Sequence, residues 1–300
     1  MKKSIFIFTL MLLATQLLVA QVAINADGSS TDSSAMLDIK STSKGLLPPR
    51  MTNAQRDAIV SPASGLMIYN TENAEMEYYN GTRWSTFDGK IACGSTITDS
   101  EGNTYGTVQI GTQCWMKENL NIGIMINGNT NQTDNNFIEK YCYGNSAVNC
   151  DVYGGLYQWD EMMQYVVTEG AQGICPTGWH LPSDDEWKTM EMAIGMSQVQ
   201  ADATGNRGTN NEGGKLKETG FAHWYSPNNG ATNITGFTGL PGGRGTGGGP
   251  FYTLTYNGFF WTSTNNGSTS WSRSLSYYFQ QVGRDYIDPS YGYSVRCVRD

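Results

Sequence analysis

The chain has 300 residues, of which 15% are charged, and its 27 acidic residues outnumber its 19 basic ones. An average soluble protein has about 25% charged residues. The acidic balance argues against nucleic acid as a partner, because affinity for phosphates depends largely on Lys and Arg. A polar surface built from Asn, Ser, Thr, Gly and Tyr instead suits an extracellular module.

The first twenty residues have the pattern of a secretory signal peptide. Two lysines precede an apolar run over residues 5–13, and a second short apolar run ends at Ala20. Thr15 and Gln16 interrupt the apolar stretch, which leaves it too short for the ~20 apolar residues of a membrane-spanning helix. We therefore expect residues 1–20 to be removed on export. The mature chain would be secreted or held at the cell surface without a membrane span, with 17 basic and 27 acidic residues and a net charge of −10.

Six cysteines follow the signal, and an even number in an exported protein predicts three disulfides. A zinc site would need close Cys-x-x-Cys pairs, which the sequence lacks. Six cysteines allow 15 pairings. A short loop favours Cys142 with Cys150, and a long closed loop, which removes the most entropy from the unfolded chain, favours Cys175 with Cys297. Cys93 and Cys114 remain as the third pair.

The composition changes near residue 90 and divides the mature chain into two modules, 21–90 and 91–300. The first module has no cysteine, and Thr52 is placed to cap a short helix over residues 52–59. Two β-type runs, residues 65–70 and 75–81, flank a four-residue polar turn and predict a hairpin. Such a unit is too small to bury much surface, so trimerisation or docking on its neighbour would stabilise it.

The second module is predicted to be α+β, with few helices, short strands and many loops. A Gly-Asn turn leads into a strand over residues 107–110, and the polar tract 127–136 predicts an exposed loop. Ser183 and Glu186 form a capping box for a helix that ends at Gly195. Trp187, Met190 and Ile194 share one face of that helix.

The first module resembles the N-terminal modules of exported Bacteroidetes proteins and the hairpin units of phage tail fibres. The resemblance is carried by residues 37–52, by Gly65-Leu-Met-Ile-Tyr-Asn70, and by Tyr78-Tyr-Asn-Gly81 with Trp84. It implies a stalk or attachment role, often as a homotrimer, and no chemistry.

The second module resembles the Fibrobacter succinogenes major paralogous domain through eight blocks in the same order. The blocks are residues 99–105, Trp115-Met-Lys-Glu-Asn-Leu120, residues 155–159, Cys175-Pro-Thr-Gly-Trp-His-Leu-Pro-Ser183 with Glu186-Trp187, Gly213-Gly-Lys-Leu-Lys-Glu-Thr-Gly220, residues 236–244, Phe260-Trp-Thr-Ser-Thr264 and Ser294-Val-Arg-Cys-Val-Arg-Asp300. The family brings no settled biochemical role with it.

A more distant resemblance is to the sulfatase-modifying factor group and its C-type-lectin-like fold, through residues 181–187 and Arg296-Cys297. It implies a lectin-like fold for the second module and supports the pairing of Cys175 with Cys297. The copper-binding, oxygen-using chemistry of that group depends on two thiols before the last strand. Ile287 and Gly292 occupy those positions here, so the resemblance implies no such activity.

Other catalytic signals are weak, and we predict no enzyme and no catalytic residue. His180 precedes the helix cap, where a packed imidazole is expected, and His223 has the better chance of lining a site. Neither a nucleophile elbow nor a phosphate-binding loop is present. Asp184 and its acidic neighbours suit a helix N-terminus better than glycoside hydrolysis. No cofactor is predicted. The abundant oxygen-bearing side chains and carbonyls would suit a structural calcium ion, but the sequence does not identify which residues would bind it.

Aromatic and amide side chains are dense between His223 and Tyr293, including Tyr225, Tyr277 and Tyr278. Sugars stack on Trp and Tyr while amides and Arg bind their hydroxyls, although the same aromatic residues could fill a core poor in aliphatic ones. The predicted ligand-binding set is Trp224, Asn228, Arg244, Trp271 and Arg273, with Trp261 assigned to the core. The leading hypothesis is a non-catalytic surface or secreted adhesion module for a glycan or an envelope protein. The alternatives are an extracytoplasmic hydrolase or modifying enzyme, and a structural fibre or matrix component.

Overall fold

The computed structural model describes residues 21–87 and 92–299, which form two compact units divided between Arg50 and Met51. The predicted signal peptide, residues 1–20, lies outside the described residues. Both units are built from short strands, and the second adds a few short helices, so the α+β class with mostly antiparallel strands is confirmed. The module boundary near residue 90 stays a prediction. No helix in the described ranges is both long enough and apolar enough to cross a membrane.

The first unit contains a two-stranded parallel ribbon. Strand β1 (Val22–Asn25) pairs with β2 (Leu37–Lys40) in a register that places Val22 opposite Leu37. Val22, Ile24 and Leu37 are each more than half exposed. Because two strands alone cannot bury their apolar side chains, this ribbon keeps an apolar surface.

The second unit begins with the predicted helix and hairpin. Strand β3 (Arg50–Met51) lies at the division and is followed by α1 (Asn53–Asp57), which Thr52 caps as predicted, with Gln55 completing a capping box. Strand β4 (Met67–Asn70) pairs antiparallel with β5 (Glu75–Tyr79) across the predicted four-residue turn. Strand β6 (Trp84–Thr86) then pairs with β5. The predicted hairpin is confirmed.

The remaining elements are listed here in chain order. The strands are β7 (Thr96–Thr98), β8 (Thr104–Ile110), β9 (Gln113–Met116), β10 (Ile124–Ile126), β11 (Glu139–Tyr141), β12 (Trp179–His180), β13 (Gly205–Arg207), β14 (Arg244–Gly245), β15 (Phe251–Tyr252), β16 (Asn257–Asn265), β17 (Ser270–Ser276), β18 (Val282–Ile287) and β19 (Val298–Arg299). The α-helices are α2 (Ala147–Tyr153), α3 (Trp159–Met162), α4 (Asp184–Ala193), α5 (Gln198–Asp202) and α6 (Glu212–Leu216), and a 3₁₀ turn covers Tyr143–Asn145.

Two larger sheets organise these elements. One has the order β12-β19-β9-β8-β7, and the other has the order β13-β18-β17-β16. Strand β19 pairs antiparallel with both β12 and β9, with Val298 opposite Trp115. Strand β19 is therefore paired with strands that lie much earlier in the sequence.

Helix α4 is the longest helix among the described residues, and its predicted signals are confirmed. The Ser183 hydroxyl accepts a hydrogen bond from the Glu186 amide, and the Glu186 carboxylate accepts one from the Ser183 amide. Trp187 and Met190 are fully buried on its inner face. Gly195 follows the helix with a φ of 124°, a backbone conformation that favours glycine.

The polar loop over residues 127–136 joins β10 to β11 and is mostly exposed, as predicted. Gln132 departs from that prediction because it is buried. Its amide nitrogen donates to the carbonyls of Glu139 and Leu156, and its backbone amide donates to Gln158 Oε1. A buried amide side chain is stable there because backbone groups satisfy it.

All six cysteines form disulfides, in the three pairs expected from the sequence. The bonds join Cys93 to Cys114, Cys142 to Cys150, and Cys175 to Cys297. The last one closes a sequence separation of 122 residues. A loop of that size removes roughly 5 kcal/mol of chain entropy from the unfolded state in the loop-closure model.

Tryptophan and other aromatic side chains dominate the interior of the second unit. Trp159, Trp179 and Trp261 are buried in one cluster, and Trp115, Trp187 and Trp224 in another. The core placement predicted for Trp261 is confirmed, and its indole donates to the Tyr157 carbonyl at 2.8 Å.

Candidate functional site

Arg273, a predicted ligand-binding residue, is buried in an ion cluster between α4 and the sheet that contains β17. The cluster consists of Asp184, Glu191, Arg207, Arg273 and Arg284. Arg273 donates from Nη1 to Asp184 Oδ1 at 2.8 Å and from Nε to Glu191 Oε1 at 2.7 Å. Its side chain has no exposed surface. Since a ligand arriving from solvent cannot reach this guanidinium, the prediction for Arg273 is corrected to a structural role.

Two carboxylates on one face of α4 hold the ion cluster together. Asp184 also binds Arg284 at 2.9 and 2.6 Å, and Glu191 binds Arg207 at 2.7 and 2.8 Å. Burial alone would raise the pKa of Asp184, but the hydrogen bond from Arg284 and the charge of Arg273 outweigh it and hold that pKa well below its usual range. The acidic cluster at the helix start is therefore structural, as the capping interpretation expected.

Trp271 lies beside the ion cluster and is 8% exposed. The Arg284 guanidinium lies 3.5 Å from its ring centroid, and the Tyr286 ring stacks on it. Because both neighbours occupy the indole, Trp271 has no free face for a sugar, and this prediction is also corrected.

Trp224 and Asn228 are buried as well, at 2% and 5% exposure. The Trp224 indole donates to the Gly239 carbonyl, and Asn228 Nδ2 donates to the carbonyls of Glu218 and Gly220. Their side chains hold the loop over residues 218–229 from the inside. Because they are buried, they are not accessible to a ligand.

Lys217 is the buried cation beneath this loop. Its Nζ donates to the carbonyls of Asn229, Ser276 and Phe279 at 2.8, 2.8 and 3.1 Å and lies 5.4 Å from the Trp224 ring centroid. Burial lowers the pKa of Lys217 to about 8, because the charged form loses its hydration. One ammonium group thus ties residue 229 to residues 276–279.

Five aromatic residues above Lys217 form an exposed surface that we call the tyrosine platform: Tyr225, Tyr256, Tyr277, Tyr278 and Phe279. Tyr225 stacks on Tyr256 with centroids 4.7 Å apart, and both meet Tyr277 edge to face. Tyr278 contacts Tyr277 and Phe279. Tyr225 and Tyr278 are 52% and 57% exposed, and Tyr256 and Phe279 about two fifths exposed.

Backbone hydrogen bonds join the three segments of the tyrosine platform. The Tyr225 amide donates to the Thr255 carbonyl, and the Tyr277 amide donates to the Tyr256 carbonyl. Thr253 and Thr255 have φ values of 62° and 68°. A β-branched residue is strained in this region, and such strain concentrates at sites that bind or react.

The sequence reasoning noted three residues of the platform but placed none of them in the binding set, and it missed Tyr256 and Phe279. The usable signal was the Tyr-Tyr-Phe run at 277–279, which directly follows β17. Inside β17, neighbouring strands and α4 cover the large side chains. The side chains of residues 277–279, which follow the strand, are not covered in this way.

Arg244 is the predicted ligand-binding residue that keeps partial exposure. Strand β14 places it opposite Tyr252 in β15. Its guanidinium carbon lies 5.5 Å from the Phe259 ring centroid and 5.1 Å from that of Tyr291. Its Nε and the hydroxyl of the neighbouring Tyr293 are both buried; burial raises the pKa of Tyr293 to about 12, against a hydrogen bond from Arg244 that lowers it.

The two histidines bind carboxylates. His180 Nε2 lies 2.7 Å from Glu186 Oε1, the carboxylate of the capping box, so this imidazole supports the helix start. His223 Nδ1 lies 2.9 and 3.0 Å from the two oxygens of Glu218, and its ring meets Tyr153 edge to face. Across residues 21–87 and 92–299, no group of three His, Cys, Asp or Glu side chains is arranged to hold a metal ion. The structural calcium stays a prediction.

Comparison with known families gives two matches. The model of the Fibrobacter succinogenes major domain matches residues 108–299, more than half of the chain, and that of the phage tail like trimerisation region matches residues 24–102. No curated protein and no solved structure gave a significant match. The first of these families is not a known enzyme family. The chain therefore belongs to the Fibrobacter succinogenes major domain family, with a phage-tail-like trimerisation region in front of that domain.

Proposed function

We propose that this is an exported surface or secreted binding protein that holds a glycan on the tyrosine platform. The observation that carries the proposal is the contact of five aromatic rings, four of them well exposed. A contiguous apolar patch on a soluble domain marks an interaction surface. Aromatic faces with hydroxyl groups at their edges suit the C–H faces and hydroxyls of a sugar.

Export is supported by the signal pattern in residues 1–20 and by the three disulfides. Disulfides form and persist in oxidising compartments. We infer a location outside the cytoplasm, with the binding domain displayed on the N-terminal region.

We infer that the chain assembles as a homotrimer through its N-terminal region. The match to a trimerisation region supports this, and so does the apolar surface that the β1–β2 ribbon keeps. Three copies of a weak glycan site would bind a polymeric target more tightly than one, because the second contact becomes intramolecular. Light scattering on the mature chain should give three times the monomer mass, and a monomer would contradict this inference.

For residues 91–300 we propose a C-type-lectin-like fold. Strand β19 pairs with β9 near the start of this segment, and Cys297 is bonded to Cys175, which precedes the main helix. Both features agree with what the distant resemblance implied.

The glycan proposal is tested by a glycan array with the mature protein. We expect retention of neutral oligosaccharides, weakened about 10-fold by Tyr278→Ala, since losing one stacked ring costs about 1.4 kcal/mol. Phe137→Ala is the matched control, because Phe137 is 62% exposed but outside the platform. An array without hits, together with retention of an envelope protein, would replace the glycan with a protein partner.

The proposed role is non-catalytic. The burial of each candidate residue determines which variant can test for catalysis. Asp184→Asn is a poor probe of hydrolysis, since Asp184 holds the ion cluster and its loss would destabilise the domain whether or not the residue takes part in catalysis. His223→Ala is suitable because the imidazole is partly exposed. Turnover of a polysaccharide or peptide panel that disappears in folded His223→Ala would show an enzyme.

A further inference from the structure

We propose that the outer face of the sheet formed by β4, β5 and β6 is an interface between copies of this chain. The inference rests on the homotrimer proposed above and adds a second contact surface to the β1–β2 ribbon. We call this surface the hairpin face. It consists of five residues: Met67, Tyr69, Met76, Tyr78 and Phe87.

The register of the strands places these five side chains on one side of the sheet. Met67 lies opposite Tyr78, and Tyr69 lies opposite Met76. Side chains alternate between the two faces of a strand, and residues directly opposite each other share a face. Phe87 follows β6 and joins the same side, because its ring centroid lies 5.5 Å from that of Tyr78. The hairpin face is therefore a continuous group of apolar and aromatic side chains.

The opposite side of the same sheet is already packed. Ile68 and Trp84 are buried there in one hydrophobic cluster. Glu77 binds Arg56 at 2.8 Å in an ion pair whose two side chains are fully buried. Since the sheet uses this side for the interior of the second unit, the hairpin face is left on the outside.

The exposure and composition of the hairpin face are typical of a protein interface. Met67 and Phe87 are 47% and 63% exposed, and the other three side chains are partly exposed. Methionine and aromatic residues are enriched at the centres of interfaces, whereas charged residues are depleted there. A shallow depression lies between Met76 and Phe87 and offers space for an apolar side chain of a neighbour. The flexible methionine side chains can adapt to such a contact.

Two observations favour a second copy of this chain as the partner. The match to a phage tail like trimerisation region covers residues 24–102, which include the whole hairpin face. In a cyclic trimer, a residue near the symmetry axis lies close to its own copies, so a charged side chain there would repel itself. The five side chains of the hairpin face are all uncharged, which removes this obstacle to self-association.

The test is the mass of the mature protein in solution, measured by light scattering. We expect a trimer for the wild type. The double variant Met67→Glu with Phe87→Glu places like charges on the contact, and its mass should fall to one third. Both side chains are well exposed in a single copy, so the variant should fold, which near-UV circular dichroism checks.

The matched control is the double variant Phe137→Glu with Val167→Glu. These side chains are 62% and 85% exposed but lie outside the region that matches the trimerisation family. The control adds the same charge to the chain, and its mass should remain that of the trimer.

Hydroxyl-radical labelling with mass spectrometry gives a second readout that needs no variant. Phe87 and Tyr278 are 63% and 57% exposed in a single copy, and aromatic rings of both types react with the radical. In the trimer we expect labelling of Phe87 to be at least about 5-fold weaker than that of Tyr278, because the centre of an interface excludes water.

The outcomes separate the hairpin face from the homotrimer itself. A trimer that persists in folded Met67→Glu with Phe87→Glu would overturn the hairpin face and leave the homotrimer standing. Labelling of Phe87 as strong as that of Tyr278 in the wild-type trimer would have the same meaning. A monomeric wild type would contradict both inferences.

Discussion

The ion cluster packs against strand β17, and the tyrosine platform begins directly after the end of that strand, yet the aromatic residues of the two regions are used in opposite ways. On β17, Trp271 and Arg273 are covered by Tyr286 and α4. A few residues later, Tyr277 and Tyr278 contact mainly other rings, and Tyr278 keeps 57% of its surface exposed. Aromatic residues therefore stabilise the fold inside the strand and are exposed beyond its end.

The largest effect is expected from Asp184→Asn. Removing this charge leaves Arg273 and Arg284 buried without a full partner, which should lower the free energy of unfolding by about 3–5 kcal/mol. Urea unfolding measures this loss of stability. Asp185→Asn is the control, because the Asp185 carboxylate is 88% exposed. A change below about 1 kcal/mol would mean that the cluster does not stabilise the fold.

Lys217→Met tests the link between core and platform. The variant keeps the chain length but leaves three carbonyls without their donor, so we expect a loss of about 2–4 kcal/mol in the free energy of unfolding. Platform binding should weaken as well. Lys44→Met, at an exposed position, should change stability by less than about 0.5 kcal/mol. Unchanged glycan binding in folded Lys217→Met would show that the platform holds its shape without this residue.

The pH dependence of Lys217 sharpens the same comparison. Its pKa falls from 10.5 to about 8 on folding, so between these values the unfolded chain binds more protons than the native one. Stability from this group therefore rises as the pH increases through that window. The free energy of unfolding of the wild type and of Lys217→Met, measured at pH 7.5 and 9.5, isolates the contribution of Lys217. The stability advantage of the wild type should be larger at the higher pH, and a smaller advantage there would contradict the assigned shift.

The smallest stability effect is expected on the platform itself. Tyr278→Ala should change the free energy of unfolding by less than about 1 kcal/mol, because the ring is exposed. The same variant is expected to weaken glycan binding. Thermal unfolding, measured beside the binding assay, separates the effect on stability from the effect on glycan binding. A large loss of stability would show that Tyr278 mainly stabilises the fold.

Features that depend on neighbouring residues could be predicted from the sequence. The N-cap at Thr52, the capping box at Ser183 and the hairpin around residues 71–74 follow from local side-chain chemistry. The Cys175–Cys297 pair followed from loop length and from the family resemblance, since no local signal joins residues so far apart.

The binding set could not be predicted as well, because burial depends on distant partners. Asp184 meets Arg273 across 89 residues of sequence and Arg284 across 100. The platform likewise forms only when residues 225, 256 and 277–279 come together over Lys217. Arg244 keeps partial exposure in its glycine-rich surroundings, and its binding role stays a prediction.

The bond between Cys175 and Cys297 also determines how the exported protein would respond to proteases. The tyrosine platform lies in the stretch of chain that this bond closes. One backbone cut anywhere between the two cysteines leaves both fragments covalently attached, and the sheet contacts can hold them in place. Release of a bound glycan by proteolysis would therefore require two cuts in this stretch or reduction of the disulfide.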